Sequence, residues 1–244
     1  MYPASLVRRL VNQFSLDGKS QLLDLGCGTG QLALRFSDWS SRIVGIDPEL
    51  EMIKEAKRLG QELRIENIEW FNGDLIKYKS QYDDTFRMVT IVKAFHWMER
   101  EAVLDTLYEM ISYGGGVAII DEHYSPDKEP LPWQRKVNEV VSRWYGDQRR
   151  AGNTIYSHPK TSHEEVIAKS RFDIETLTIP TYEQIWTVDT IIGNIYSTSY
   201  GSKRFLGENA EGFERDLREE LLFHNNNGVF KEPIILSIKL ALKK

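Results

Sequence analysis

The stretch Leu22-Leu23-Asp24-Leu25-Gly26-Cys27-Gly28-Thr29-Gly30-Gln31 decides the fold of this chain. A short apolar segment runs directly into a loop in which every second residue is glycine. Glycine lets the backbone turn tightly and approach a ligand closely, and a loop that enters a helix presents free N–H groups to that ligand. The G-x-G-x-G spacing differs from the G-x-G-x-x-G spacing of dinucleotide-binding loops. The stretch therefore predicts a buried strand, a ligand-binding loop and a helix in succession.

Short apolar segments alternate with amphipathic segments around this loop. The pattern predicts strands over residues 21–25, 43–46, 68–72, 88–92 and 117–121. It predicts helices over residues 4–14, 31–37, 47–60 and 99–112. Asp47 is the predicted N-cap of a helix that starts with Pro48, and Gly60 and the run Gly114–Gly116 are predicted to end two helices. Such alternation implies a parallel sheet that is covered by helices on both faces.

The alternation is interrupted after residue 125. The pattern there predicts helices near residues 131–150, 162–170, 188–198 and 212–223. It also predicts strands over residues 172–186 and 234–242. His158 and His163 are interpreted as solvated loop histidines, and no metal site is expected.

The composition excludes several classes of protein. The chain has 244 residues, a net charge of −5 and a single cysteine, Cys27. A broad nucleic-acid surface normally needs a pI above about 9, so no nucleic-acid partner is expected. One cysteine forms neither an intrachain disulfide nor a Cys-based zinc site. The sequence shows no signal-peptide pattern and no apolar run of ~18 residues, so we expect no membrane partner and a cytoplasmic location.

Polar and aromatic residues follow the predicted strands beyond the glycine loop. Asp47 ends the second strand, where a carboxylate can accept both hydroxyls of a ribose. Asp74 follows Gly73 at the end of the third strand and can accept a hydrogen bond from an adenine amino group. The stretch Lys93–Met98 follows the fourth strand. Open α/β sheets bind ligands at this carboxyl edge, so the sequence predicts a nucleoside-containing ligand there.

Together these motifs resemble the class I S-adenosylmethionine (SAM)-dependent methyltransferases that act on small molecules. The Phe95-His96-Trp97 stretch is similar to that of carboxyl methyltransferases such as the trans-aconitate enzymes. The resemblance implies a Rossmann-like, doubly wound, mostly parallel sheet of seven strands in the order 3-2-1-4-5-7-6, with the last-numbered strand antiparallel. It also implies SAM as the cofactor, with these binding residues: Asp24, Gly26, Cys27, Gly28, Gly30, Gln31, Asp47, Met52, Gly73, Asp74, Leu75, Ala94, Phe95 and Trp97.

The expected organisation is a single domain, either monomeric or homodimeric. Residues 1–125 form the SAM-binding core in this prediction. Residues 126–244 supply the remaining strands of the same sheet and helical insertions that cap the acceptor.

The expected reaction is methyl transfer to the oxygen or nitrogen of a small molecule, which includes a carboxylate. His96 is the candidate general base, since an unperturbed pKa of about 6.5 suits proton removal near neutrality. The alternative is that His96 and Trp97 only pack against the cofactor or the first helix. Two other functions stay open: a non-catalytic SAM-binding or scaffold protein, and a nicotinamide- or flavin-dependent oxidoreductase.

The sequence differs at two places from the family that it resembles. Many relatives carry an N-terminal segment that ends in Arg-Pro-x-Tyr-Pro and helps to close the cofactor site. Here Met1 directly precedes Tyr2-Pro3, so we expect closure of the site to be affected. Arg87 stands where relatives usually have an aspartate, just before the fourth strand.

Overall fold

The structure is a computed structural model that describes residues 2–123, 129–146, 150–151, 154–155, 161–198 and 200–244. Its strands are β1 Gln21–Leu25, β2 Arg42–Asp47, β3 Ile68–Asn72, β4 Phe86–Val92, β5 Ile111–Glu122, β6 Arg150–Ala151, β7 Thr154–Ile155, β8 Asp173–Thr187 and β9 Val229–Leu242. Its α-helices are α1 Ala4–Phe14, α2 Leu50–Glu62, α3 Leu75–Lys79, α4 Arg100–Met110, α5 Pro132–Tyr145, α6 His163–Ala168, α7 Val188–Tyr196 and α8 Ala210–His224. Four short 3₁₀ helices cover Ala33–Trp39, Phe95–Trp97, Lys203–Phe205 and Gly207–Asn209.

Seven strands form one sheet in the order β3-β2-β1-β4-β5-β9-β8. Strands β1 to β5 pair in parallel, whereas β9 runs antiparallel to β5. With β8 and β9 as the sixth and seventh strands, this is the predicted order 3-2-1-4-5-7-6, and the Rossmann-like fold is confirmed. Strands β6 and β7, which the sequence did not predict, form a separate two-stranded sheet.

The central strands form the core because both of their faces are covered. In β4 and β5 the side chains of Met88, Val89, Ile91, Val117 and Ile119 are all completely buried. Helix α1 lies against β5 and buries its predicted apolar stripe of Leu6, Val7, Leu10, Val11 and Phe14. Burial of one such side chain stabilises the fold by about 1.5–3 kcal/mol, so this helix is held by packing and not by helix propensity alone.

The described residues belong to two compact units. The sheet unit contains residues 2–123, 161–180 and 235–244. The helical unit contains the described residues from 129 to 155 and from 181 to 234. It has its own buried apolar cluster, to which α5, α7, α8, the start of β9 and Leu206 contribute: Trp133, Val140, Val188, Ile191, Ile192, Ile195, Leu206, Ala210, Phe213, Leu217, Leu221 and Phe230. The division at residue 125 within a single domain stays a prediction.

Three local predictions were wrong. The helix expected over residues 31–37 is the 3₁₀ helix Ala33–Trp39. Gly60 lies inside α2 and not at its end, and α2 begins after Glu49, not after Asp47. The Asp47 carboxylate is drawn to the glycine loop, 19 residues away, as well as to the N–H of Glu49, so it does not cap the helix.

The glycine run Gly114–Gly116 also does not end a helix, because it lies inside β5. Helix α4 ends at Met110, and β5 begins at Ile111. A Cβ atom on Gly116 would lie 2.5 Å from the carbonyl oxygen of Ala241 in β9. Glycine is therefore required here for the close approach of two strands, not for a helix stop.

Arg87 joins three elements of the sheet unit. Its Nε donates to the carbonyl oxygen of Phe14 at 3.0 Å, and its Nη1 donates to that of Tyr113 at 3.0 Å. The side chain thus links β4 to the C-terminal end of α1 and to β5. This gives the departure at Arg87 a structural role. No helix in the part of the chain that the structure describes is long and apolar enough to cross a membrane.

Candidate active site

The glycine loop leaves β1 and is held against the end of β2. The N–H groups of Gly26 and Cys27 both donate to the carbonyl oxygen of Ile46, at 2.8 and 3.0 Å. Gly26 has φ = +70°, and a Cβ atom there would lie 2.6 Å from the Cβ of Ala94. Only glycine satisfies both the left-handed backbone and the close approach of the loop after β4.

Gly28 lies at the open side of this loop. Its N–H donates to Oδ2 of Asp47 at 2.9 Å, and its φ is +54°. A Cβ atom on Gly28 would meet no atom within 4 Å. Gly26 is therefore enclosed by protein, whereas Gly28 borders open space that a ligand can occupy.

Trp70, a residue of β3, shapes the other side of the loop and was missed by the sequence analysis. A Cβ atom on Gly30 would lie 2.2 Å from its indole ring, and one on Gly45 would lie 2.5 Å from it. The glycine at position 30 thus makes room for a large aromatic ring. The sequence signal was an aromatic residue within a predicted strand.

Asp47 lies at the end of β2 with 9% of its surface exposed. Oδ2 accepts from Gly28, and Oδ1 accepts from the backbone N–H of Glu49 at 2.9 Å. Burial raises the pKa of this carboxyl, and the two hydrogen bonds oppose that effect. A carboxylate offers about four acceptor positions, so both oxygens keep capacity for ligand hydroxyls.

The end of β3 is joined to the end of β2. The N–H of Gly73 donates to the carbonyl oxygen of Asp47 at 3.1 Å. Asp74 is the N-cap of α3, where its Oδ1 accepts from the N–H of Lys77 at 2.8 Å. Its side chain is exposed, whereas Leu75 is buried in the core. Asp47 and Asp74 therefore follow two adjacent strands at one edge of the sheet.

Asp24 and Cys27 have partners inside the protein. Oδ1 of Asp24 accepts from the Thr90 hydroxyl at 2.6 Å, and the residue is only 3% exposed. Burial raises the pKa of the Asp24 carboxyl from 3.8 to about 6. The Cys27 thiol donates to the Gly28 carbonyl oxygen, and burial raises its pKa well above the usual value. The thiol is therefore poorly suited to act as a nucleophile.

The predicted residues after β4 point in different directions. Ala94 is half-buried beside Gly26, and Phe95 is buried in the core. Trp97 is 44% exposed, and its ring centroid lies 4.8 Å from that of His96. Lys93, which precedes them, has φ = +52° and forms an ion pair with Glu122. A lysine in this left-handed conformation marks a constrained strand end.

Two further predicted residues flank the loop. Gln31 is exposed directly after Gly30, and Met52 is half-buried in the first turn of α2. In the part of the chain that the structure describes, neither side chain forms a hydrogen bond or an ion pair.

A cluster of three titratable side chains lies in the sheet unit, at the ends of β4 and β5 and at the start of α6. The candidate ligand atoms of His96, Asp121 and His163 all lie within 4.8 Å of one another. His163 is the first residue of α6 and its side chain is only 14% exposed. The interpretation of His163 as a solvated loop histidine was therefore wrong, and His158 lies outside the described residues.

Comparisons with known proteins agree with this geometry. A family model described as "Methyltransferase domain" matches residues 22–115. An uncharacterized methyltransferase of Schizosaccharomyces pombe is 24% identical over 146 residues, which are 59% of this chain and 55% of that protein. The Saccharomyces cerevisiae protein named "Probable S-adenosylmethionine-dependent methyltransferase CRG1" is 27% identical over 118 residues, 48% of this chain and 40% of that protein.

Solved structures share the fold over the whole chain. The crystal structure of the YcgJ protein of Bacillus subtilis has a TM-score of 0.57 at 17% identity, and the alignment covers 98% of each chain. The sequence matches, by contrast, span about half the length of the curated relatives.

The glycine loop, the carboxylates at the strand ends and the sheet order define a class I SAM-dependent methyltransferase domain. Residues 22–115 match the family of methyltransferase domains, and SAM is the cofactor expected there.

Proposed function

We propose that this chain transfers the methyl group of SAM to a small-molecule acceptor with an oxygen or nitrogen nucleophile. The observation that carries the proposal is the open space beside Gly28, where an added Cβ atom would meet nothing within 4 Å. Carboxylates follow the two adjacent strands, at Asp47 and Asp74. The arrangement supports a ligand that combines a ribose with an adenine, because its hydroxyl and amino groups are hydrogen-bond donors.

In this proposal Asp47 has two tasks. It holds the loop through the N–H of Gly28, and it accepts the ribose hydroxyls with its remaining lone pairs. Asp74 uses one oxygen to cap α3 and receives the adenine amino group on the other. The further proposed contacts are Asp24, Gly26, Cys27, Gly30, Gln31, Met52, Gly73, Leu75, Ala94, Phe95 and Trp97.

Bound SAM would supply a methyl group on a sulfonium sulfur: the acceptor's lone pair would bond to the methyl carbon, the C–S bond would break, and S-adenosylhomocysteine would leave. The task of the protein is to align the acceptor and exclude water. The exposed face of Trp97 can attract the sulfonium charge. A carboxylate acceptor has no proton to lose, whereas a hydroxyl or amine acceptor must release one, and His96 is the predicted base.

Charge supports a small molecule over a nucleic acid as the acceptor. The net charge of the chain is −5, and the phosphate backbone of a nucleic acid would be repelled by an acidic protein. Cytoplasmic location and a monomeric or homodimeric state remain part of the proposal.

The cofactor is tested by isothermal titration calorimetry with SAM and, separately, with NAD⁺. We expect SAM to bind and NAD⁺ not to bind. Asp47→Ala should weaken SAM binding by about 1–3 kcal/mol, the cost of leaving polar groups unpaired. Asp38→Ala, which removes an exposed carboxylate, should leave the affinity unchanged. NAD⁺ binding without SAM binding would support the oxidoreductase, and equal affinities of the two variants would refute the role of Asp47.

The reaction is tested with methyl-labelled SAM and a mixture of small metabolites that contains carboxylates, alcohols and amines. We expect label to appear in one class of acceptor and S-adenosylhomocysteine to form in equal amount. SAM binding without label transfer to any acceptor would support the non-catalytic alternative.

A further inference from the structure

The cluster of His96, Asp121 and His163 contains a buried polar atom without a hydrogen bond. Oδ2 of Asp121 has no hydrogen-bond partner in the described part of the chain. Nε2 of His163 lies 3.6 Å from this oxygen, which is too long for a hydrogen bond. Burial raises the pKa of the Asp121 carboxyl. A buried carboxylate oxygen without a partner is costly, and a bound water or ion is a common explanation.

The distances in the cluster fit two ligands of one metal ion. Ligand atoms that bind a tetrahedral ion at 2.0–2.2 Å lie about 3.3–3.6 Å apart. The Asp121–His163 separation of 3.6 Å falls at the end of this range. The widest pair in the cluster, at no more than 4.8 Å, would have to close by about 1 Å.

The three residues come from three separate elements of the sheet unit. His96 lies in the 3₁₀ helix after β4, Asp121 lies near the end of β5, and His163 begins α6. They are 25 and 42 positions apart, so no ligand spacing is visible in the sequence. Two imidazoles and one carboxylate are the donor set of many zinc and iron(II) sites that keep open coordination positions.

Of the cationic side chains around the cluster, two are paired with carboxylates and one opposes metal binding. Lys93 forms an ion pair with Glu122, and Lys239 lies 3.7 Å from Glu164, so carboxylates offset both lysines. Arg100 opposes metal binding: its Nη1 lies 3.1 Å from Nδ1 of His163 and 2.9 Å from the Thr161 carbonyl oxygen.

The contact with Arg100 makes Nδ1 of His163 a hydrogen-bond acceptor, because a guanidinium only donates. A histidine that binds metal through Nε2 normally donates its Nδ1–H to an acceptor. Metal binding therefore requires Arg100 to move away from Nδ1. Replacement of Arg100 by a residue with an acceptor should strengthen the site.

We propose that His96, Asp121 and His163 bind a divalent transition-metal ion, with zinc as the best-matched ion. The site lies at the carboxyl ends of β4 and β5, where an ion with an open position can act as a Lewis acid on an acceptor oxygen. In this arrangement His96 is a metal ligand and not the general base. The proposal does not rest on the proposed function, because ion binding is measured without SAM or acceptor.

The experiment titrates Co²⁺ into the full chain, purified without a histidine tag, and follows visible absorption and stoichiometry. We expect one Co²⁺ to bind per chain and Zn²⁺ to displace it, since a site of this type prefers zinc to cobalt. Asp121→Asn and His163→Gln should abolish the saturable absorption. His224→Gln, at the end of α8 in the helical unit, is the matched control and should bind as the unaltered chain does. Arg100→Gln offers an amide oxygen to Nδ1–H and should bind Co²⁺ about tenfold more tightly.

Folding of each variant is checked by circular dichroism, and His163→Asn replaces His163→Gln if the latter does not fold. No saturable binding to the unaltered chain overturns the proposal, even if Arg100→Gln binds. Saturable binding that survives both Asp121→Asn and His163→Gln also overturns it, as does its loss in His224→Gln.

Discussion

Asp24→Asn tests the buried carboxyl under the glycine loop. Asp24 is 3% exposed and accepts a hydrogen bond from the Thr90 hydroxyl. Asparagine has nearly the same shape, but it carries no charge at any pH. The substitution therefore removes the cost of burying a charge and keeps a polar group in contact with Thr90.

The magnitude follows from the pKa of this group. Burial raises the pKa of Asp24 from 3.8 to about 6, against hydrogen bonds from Thr90 and the Ala33 backbone that lower it. The pKa of Asp24 is higher in the folded chain than in the unfolded chain. The protonated Asp24 carboxyl therefore contributes its full stabilisation below the unfolded pKa of 3.8, and this contribution is lost as the pH rises through about 6. The full difference is about 3 kcal/mol. Between pH 4.5 and pH 7.5 the expected loss is about 2 kcal/mol.

The assay is urea denaturation of the unaltered chain and of Asp24→Asn at pH 4.5, 6 and 7.5. The difference in unfolding free energy between the two should change by about 2 kcal/mol in favour of Asp24→Asn over this range. A constant offset from altered hydrogen bonding does not affect this slope. Asp38→Asn, at an exposed aspartate, gives the effect of losing one surface carboxylate. A slope for Asp24→Asn equal to that of Asp38→Asn would refute the reasoning.

Four substitutions test the backbone and the hydrogen bonds around the site. Gly26→Ala places a Cβ atom 2.6 Å from that of Ala94 and should lower both the melting temperature and SAM affinity. In Gly28→Ala the added Cβ atom meets no other atom. This variant should lose only about 1–2 kcal/mol of stability, but it should no longer bind SAM. Equal behaviour of Gly26→Ala and Gly28→Ala in thermal melts and calorimetry would contradict this expectation. Arg87→Met loses two hydrogen bonds and should lower the stability of the chain by about 1–3 kcal/mol without changing its affinity for SAM. A changed affinity would show that Arg87 takes part in the site. Lys93→Gly removes the strain of a positive φ at a residue with a side chain and should raise the free energy of unfolding by about 1 kcal/mol. A free energy of unfolding below that of the unaltered chain would show that the ion pair of Lys93 contributes more than the strain costs.

Most of the fold could be predicted from the sequence because its signals are local. A buried parallel strand is a continuous apolar run, and an amphipathic helix shows its stripe within a few turns. The helix α1 was therefore predicted with its observed limits, and β1 with its own. The glycine loop was recognised for the same reason, since its spacing lies within five residues.

Three of the errors involve contacts between residues that are far apart in the chain. Asp47 looks like a helix N-cap next to Pro48, but Gly28 offers it an N–H group from another element. The run Gly114–Gly116 looks like a helix stop, but β9 approaches it from more than 100 residues away. His163, at the start of α6, looks isolated because Asp121, its neighbour in space, lies in β5. Local patterns do not contain these partners.

The hydrogen bond between Asp47 and Gly28 affects how strongly the proposed site binds its cofactor. Because Oδ2 of Asp47 accepts the N–H of Gly28 at 2.9 Å, the Asp47 carboxylate helps to hold the loop in shape. A preorganised loop avoids part of the entropic cost of binding. In the proposed site, loss of Asp47 should therefore weaken SAM binding twice, through the ribose and through the loop. Loss of Asp74 should remove one proposed contact and a helix cap. Comparison of the two alanine variants by calorimetry and thermal melts should show the larger loss of affinity, relative to stability, for Asp47.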